Sequence, residues 1–196
     1  MLITDAWDYI LDVARERLVA NFHRHNSHRL GDHIEVLGVA GELAARRFLG
    51  LPERVLGVGD PGWDIEIPST DVLGDPYVWT IDVKSRPWIE GFWRMPLQWP
   101  LHKPMRADLA LLVFVHLAER RAAVVSFAGK EDLEAAPIDT GGLMPCRLVD
   151  PQNMQPATRL YNLFCTVPEW MSEDACLTPE MVGLESDLSL EAGGKK

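Results

Sequence analysis

Asp82 and Lys84 stand two apart in Thr80-Ile81-Asp82-Val83-Lys84-Ser85, where Trp79, Ile81 and Val83 alternate with Thr80, Asp82 and Lys84. Successive side chains of an extended strand point to opposite faces, so this carboxylate and this ammonium present their heads to one side. A shorter run upstream repeats the pattern, with Trp63, Ile65 and Ile67 on one face and Asp64 and Glu66 on the other. The link between the runs, residues 68–76, holds Pro68, Asp71, Gly74, Asp75 and Pro76. Such turn-rich composition makes an antiparallel hairpin the simplest pairing. In that hairpin the start of the first strand lies beside the end of the second, which carries Asp64 towards Asp82 and Lys84. A slip of the pairing by two would put Glu66 in the place of Asp64.

Phosphodiester cleavage needs what this cluster supplies. Two carboxylates hold a hard divalent cation, Mg²⁺ or Mn²⁺, through oxygen and leave coordination positions for water and a phosphate oxygen. An adjacent lysine ammonium can orient the attacking water or stabilise charge on the phosphoryl oxygens. Carboxyl groups with ordinary pKa values of about 4 are ionised at neutral pH without tuning. A D-x-K pair alone is weak evidence, because an exposed sheet face commonly carries opposite charges as solvated decoration.

The elements that must position these groups follow from the apolar periodicity. Residues 4–22 place Trp7, Ile10, Leu11, Ala14, Leu18 and Phe22 on one stripe opposite Asp8, Asp12, Arg15 and Glu16, which predicts an amphipathic helix. Asp32 and Glu35 have capping-box spacing ahead of a second helix over about 33–49, stopped by Gly50 and Pro52. Glu42 lies on that helix, where pairing with Arg46 at i+4 would make it a surface glutamate. Strands are expected at 54–58, 63–67 and 77–84, then at 109–116 and 122–128, with the unbroken apolar run from Leu109 at the sheet centre. Residues 86–107, with four prolines among Trp88, Trp93 and Trp99, read as an ordered aromatic loop. The tryptophans there either anchor the loop or stack on unpaired bases. A short helix at 130–136 and an edge strand at 158–167 complete the reading, and Arg120 and Arg121 decorate a turn.

These residues resemble a known family. Gly62-Trp63-Asp64-Ile65 followed by Ile81-Asp82-Val83-Lys84-Ser85 looks like the two halves of the PD-(D/E)XK nuclease signature. The helix bearing Gly41-Glu42-Leu43-Ala44 is similar to the family's first helix, whose glutamate often completes the metal site. Ala107-Asp108-Leu109 before an apolar strand is also familiar from that superfamily. The resemblance covers about residues 33–128. It implies an α/β fold with a restriction-endonuclease-like core, a mixed central sheet flanked by helices, and Mg²⁺-dependent cleavage, usually of DNA. Asp64, Asp82 and Glu42 are then the metal ligands, and Lys84 is the fourth catalytic residue. Pro61 stands three before Asp64 rather than next to it, and the proline-broken segment 86–107 replaces a helix that the family usually places there.

Composition bounds this reading. A chain of 196 residues with 47% hydrophobic composition can bury one substantial core. One domain is expected over 1–167, followed by an acidic tail over 168–196. No apolar run approaches the roughly 20 residues of a membrane span. The acidic N-terminal segment does not look like a secretory signal, so a cytoplasmic location is expected. Cys146, Cys165 and Cys176 are widely spaced and lack the CxxC pairs of a zinc or iron–sulfur site. His23, His25, His28 and His33, beside Arg24 and Arg29, fit a solvated loop or a phosphate-touching patch better than a zinc site. The net charge of −10 argues against a nucleic-acid partner, but half of it lies in the tail, and binding depends on where cations cluster. The expected partner is DNA, with RNA as the other candidate; no membrane partner is expected, and self-association is compatible. The reading from another class is a non-catalytic nucleic-acid-binding or assembly protein that keeps a nuclease-like fold.

Overall fold

The apolar run from Leu109 forms β4 (Leu109–His116), whose side chains feed two different cores. Leu109, Leu111, Val113 and Val115 enter one; Ala110, Leu112 and Phe114 enter the other. A strand covered on both faces has no need of polar alternation, which is why this run is apolar throughout. The computed structural model describes residues 1–21, 33–55, 62–70, 73–89, 96–141 and 144–160.

β4 lies in the middle of a five-stranded mixed sheet with β1 (Ile65–Thr70), β2 (Pro76–Pro87), β5 (Arg121–Gly129) and β8 (Gln155–Pro156), in the order β1-β2-β4-β5-β8. β1 and β2 form the expected antiparallel hairpin, β2 runs parallel to β4, and β5 returns antiparallel to β4. Pro68 sits within β1, opposite Val78, and an edge strand tolerates a residue without an N–H. The first core is closed by α1 (Trp7–Asn21) and α2 (His33–Phe48), through Ile10, Val13 and Ala14 of α1 and Val39, Ala40, Leu43, Ala44 and Phe48 of α2. The second is covered by a three-stranded sheet and by α3 (Lys130–Ala135). Its strands are β3 (Leu97–Pro100), β6 (Ile138–Asp139) and β7 (Cys146–Val149), in the order β3-β7-β6. No described helix is long and apolar enough to cross a membrane.

Several expectations need correcting. Trp63 does not share a face with Ile65 and Ile67; it precedes β1 and packs against the second core, while the isoleucines enter the first. Residues 54 and 55 lie outside any strand, and 56–58 lie outside the described residues. The segment 86–107 is not wholly loop: β2 extends to Pro87, and Leu97 and Trp99 of β3 are buried on one face of the second sheet. Among the described residues the last strand is Gln155–Pro156; residues 159 and 160 of the expected strand 158–167 are helical, and 161–167 lie outside the described residues. Arg120 does occupy the β4–β5 turn, at φ 50°, but its guanidinium lies over Trp7, and that of Arg121 lies over Trp88. The tail, Phe22 to Asp32, Trp93, Cys165 and Cys176 lie outside the described residues.

Candidate metal and phosphate site

The hairpin register pairs Ile65 with Ile81, so Asp64 falls just before β1 begins, beyond the last β1–β2 pair. Its N–H donates to the Ile81 carbonyl at 2.9 Å, and its Oδ2 accepts the Val83 N–H at 2.7 Å. The carboxylate thus continues the ladder that β1 abandons, which fixes it beside Asp82 and Lys84. Lys84 Nζ stands 2.5 Å from Asp82 Oδ2, and the same ammonium lies 4.6 Å from the centre of the Trp99 ring. Asp82 is only 9% exposed. Glu66 does not take the place of Asp64; it is exposed and accepts the Trp63 indole N–H at 2.7 Å.

Glu42 reaches this cluster because α2 presses closely on β2. A Cβ on Gly41 would stand 1.9 Å from Ser85 Oγ and 2.9 Å from Ser85 Cβ, so only glycine permits the approach. Glu42 is buried at 6% exposure and is not paired with Arg46. Arg17 of α1 grips it through both guanidinium nitrogens, each 2.5 Å from a carboxylate oxygen. Arg46 instead donates to the Asp64 carbonyl at 2.9 Å. Arg17 escaped the sequence reading although a signal was present: it lies three and four residues on from Ala14 and Val13, where α1 is buried, and a charge there needs a partner.

The electrostatics show carboxylates gathered closely enough to disturb one another. Burial pushes the Asp64 pKa well up, and the negative charges of Glu42 and Asp82 push the same way, against the Val83 N–H and Lys84. Burial also raises that of Glu42, opposed by Arg17 and Arg46 and reinforced by Asp82. Three oxygen-donor acids around one strand end fit a hard divalent cation in donor type and charge. Among the described residues, no three His, Cys, Asp or Glu side chains are grouped so as to hold an ion as arranged, and Glu42 and Asp82 are paired with Arg17 and Lys84.

Beside the cluster opens a cleft of about 490 Å³. Asp82, Lys84, Ser85 and Arg86 line one wall, and Gln98, Trp99, Lys103 and Arg106 line the facing one. Trp99 is an anchor rather than a stacking platform: it is buried, and its indole N–H donates to the Lys103 carbonyl at 2.8 Å. Trp88, half-buried, meets His116 edge-on. His33 is exposed at the start of α2, and Cys146 is a half-buried free thiol. No protein-family model matches the chain, and neither a curated protein nor a solved structure is significantly similar to it.

Proposed function

We propose that this protein is a metal-dependent nuclease of the PD-(D/E)XK kind that hydrolyses phosphodiester bonds in DNA. The observation that carries the reading is the placement of Asp64 against β2 just before β1 begins, with the Asp82–Lys84 pair on β2 and Glu42 near enough for its charge to raise the Asp64 pKa. Asp64 and Asp82 are the primary ligands of Mg²⁺ or Mn²⁺, with Glu42 in support. The bound cation would polarise a phosphate oxygen and acidify a water. Lys84, steadied over Trp99, orients that water or stabilises charge on the phosphoryl oxygens. The Val83 N–H holds the Asp64 carboxylate in place, and the cations of the cleft receive the phosphate backbone.

A restriction-endonuclease-like core goes with this reading. α2, the β1–β2 hairpin and the parallel β2–β4 pair support it. The described part of the crossover from β2 to β4 departs from it, carrying β3 where a helix is usual. A second reading, a non-catalytic nucleic-acid-binding protein, is favoured by one observation: Glu42 and Asp82 already have cationic partners in Arg17 and Lys84.

Incubation with linear, circular, single-stranded and branched DNA, in Mg²⁺, Mn²⁺ or EDTA, separates the two. The nuclease reading expects cleavage of at least one substrate with metal and none with EDTA. Binding without cleavage under every condition would replace it with the second reading.

A further inference from the structure

The cleft beside Asp82 and Lys84 is walled on its far side by β3 and the turn that follows, and this wall bears on what can reach the centre. Among the described residues, four cations, Lys84, Arg86, Lys103 and Arg106, line it against one carboxylate, that of Asp82, in a chain whose net charge is −10. Such a reversal of local sign over the overall charge marks a place for a polyanion. The walls are tied together, since Arg86 Nη2 donates to Gln98 Oε1 at 3.1 Å and Lys84 touches Trp99. At the rim, Gly62 has φ 105°, and a Cβ there would stand 2.7 Å from Arg106 Cδ, so the glycine leaves the arginine stem its place.

Size and recess then select the form of the polyanion. A cleft of about 490 Å³ is on the scale of small-ligand sites. A B-form duplex, whose major groove alone is about 12 Å wide, cannot enter such a space. Asp82 lies at 9% exposure beneath the wall, so a phosphate on the convex surface of an intact duplex stays outside. A single strand is the slimmer polyanion, and its phosphates can meet the cations that line the cleft. Among the described residues the lining offers no free ring for a base: Trp99, the one aromatic side chain there, has a ring occupied by Lys84 and an N–H committed to Lys103. Recognition therefore falls on phosphates, without sequence preference.

We infer that the cleft is a binding site for a single polynucleotide strand, held through its phosphates by Arg86, Lys103 and Arg106, so that the enzyme acts on unpaired strands, ends or flaps rather than within a duplex. This rests on the nuclease reading for its consequence, but binding is measured without metal and so does not depend on cleavage. Fluorescence anisotropy in EDTA compares a labelled DNA strand, an RNA strand of the same sequence and the blunt DNA duplex, on the wild type, Lys103→Ala and the exposed control Arg15→Ala. At least one single strand should bind about tenfold or more tighter than the duplex. Lys103→Ala should weaken strand binding and flatten the slope of log affinity against log salt by about 0.7, the share of one phosphate contact on a single strand. Arg15→Ala should change neither. Duplex bound as tightly as strand, or strand affinity and slope indifferent to Lys103, would overturn the inference. Asp82-dependent cleavage in the interior of an intact duplex would overturn it too while leaving the nuclease reading in place. Lys103-dependent strand binding without cleavage of any DNA would support it and remove that reading instead.

Discussion

Two carboxylates meet β2 within a few residues of each other, and their surroundings are opposite. Asp108 Oδ2 accepts the Thr80 N–H at 2.9 Å and the Thr80 hydroxyl at 2.7 Å. Burial works against its charge, but the hydrogen bonds from Thr80, with a further one from Tyr77, outweigh it and hold its pKa below the usual carboxylate value. Asp64, further along the same strand, receives the Val83 N–H and otherwise faces Glu42 and Asp82, and its pKa is driven upward by burial and by those two acids. A carboxylate that serves structure is supplied with donors, as Asp108 is. A cluster of acids that raise one another's pKa lowers stability unless a cation joins them, and such clusters gather at functional sites.

The contrast can be broken first with alanine at each position. Asp64→Ala should lose cleavage by about a thousandfold, since a metal is asked to supply several kcal/mol of transition-state stabilisation at roughly 1.4 kcal/mol per tenfold. Asp108→Ala should keep cleavage but cost about 1–3 kcal/mol in urea unfolding, because it strands the Thr80 donors. Equal losses of cleavage on matched, folded variants would erase the distinction. Gly41→Ala tests how Glu42 is delivered: the new Cβ collides with Ser85, and overpacking of this kind costs about 1–3 kcal/mol. Its melting temperature and cleavage rate should both fall, and the added change Ser85→Gly should restore part of both. No loss in Gly41→Ala would mean that the close approach of α2 to β2 is not needed.

The pH dependence sharpens the comparison further. Because folding raises the Asp64 pKa, the unfolded chain gives up that proton first as pH rises from about 4, so stability falls towards the folded-state pKa and stays lower above it. Asp108 has the reverse sign: its contribution is present above its unfolded pKa and is lost as pH falls through the lower folded one. Denaturation midpoints measured from about pH 4 to pH 7 in EDTA should therefore decline less steeply in Asp64→Asn than in the wild type. Identical profiles would show that Asp64 is not electrostatically strained.

The parts of this arrangement that were legible in the sequence are those with a clear period. Alternation over Ile65 to Ile67 and Trp79 to Lys84 gave the hairpin, and the hairpin carried Asp64 to Asp82; the apolar run from Leu109 marked the sheet centre. Apart from the buried position of Arg17 on α1, what escaped lacks a local signal. β3, β6 and β7 are two to four residues long, too short to show alternation, and their pairing joins Leu97 to Val149 across 52 positions. Arg17 meets Glu42 across 25 positions, so the i+4 rule pointed to Arg46 instead. Trp63 reads as one more apolar residue in phase, but the strand begins only at Ile65, and the chain before it is free to turn the indole to the other core.

Asp82 and Lys84 touch each other yet stand in opposite relation to a phosphate, and separating them tests the central claim most directly. Cleavage and metal-free affinity for labelled DNA are measured on Asp82→Ala and Lys84→Ala. Asp82→Ala deletes a metal ligand and a negative charge, so cleavage should be lost while affinity in EDTA is kept or tightened. Lys84→Ala deletes a cation facing phosphate, so cleavage should fall about a hundredfold or more and affinity in EDTA should weaken modestly. A partly exposed pair serving only the sheet would cost under about 1 kcal/mol of stability in either variant and leave activity intact. Undiminished cleavage by either variant would contradict the assignment of this centre.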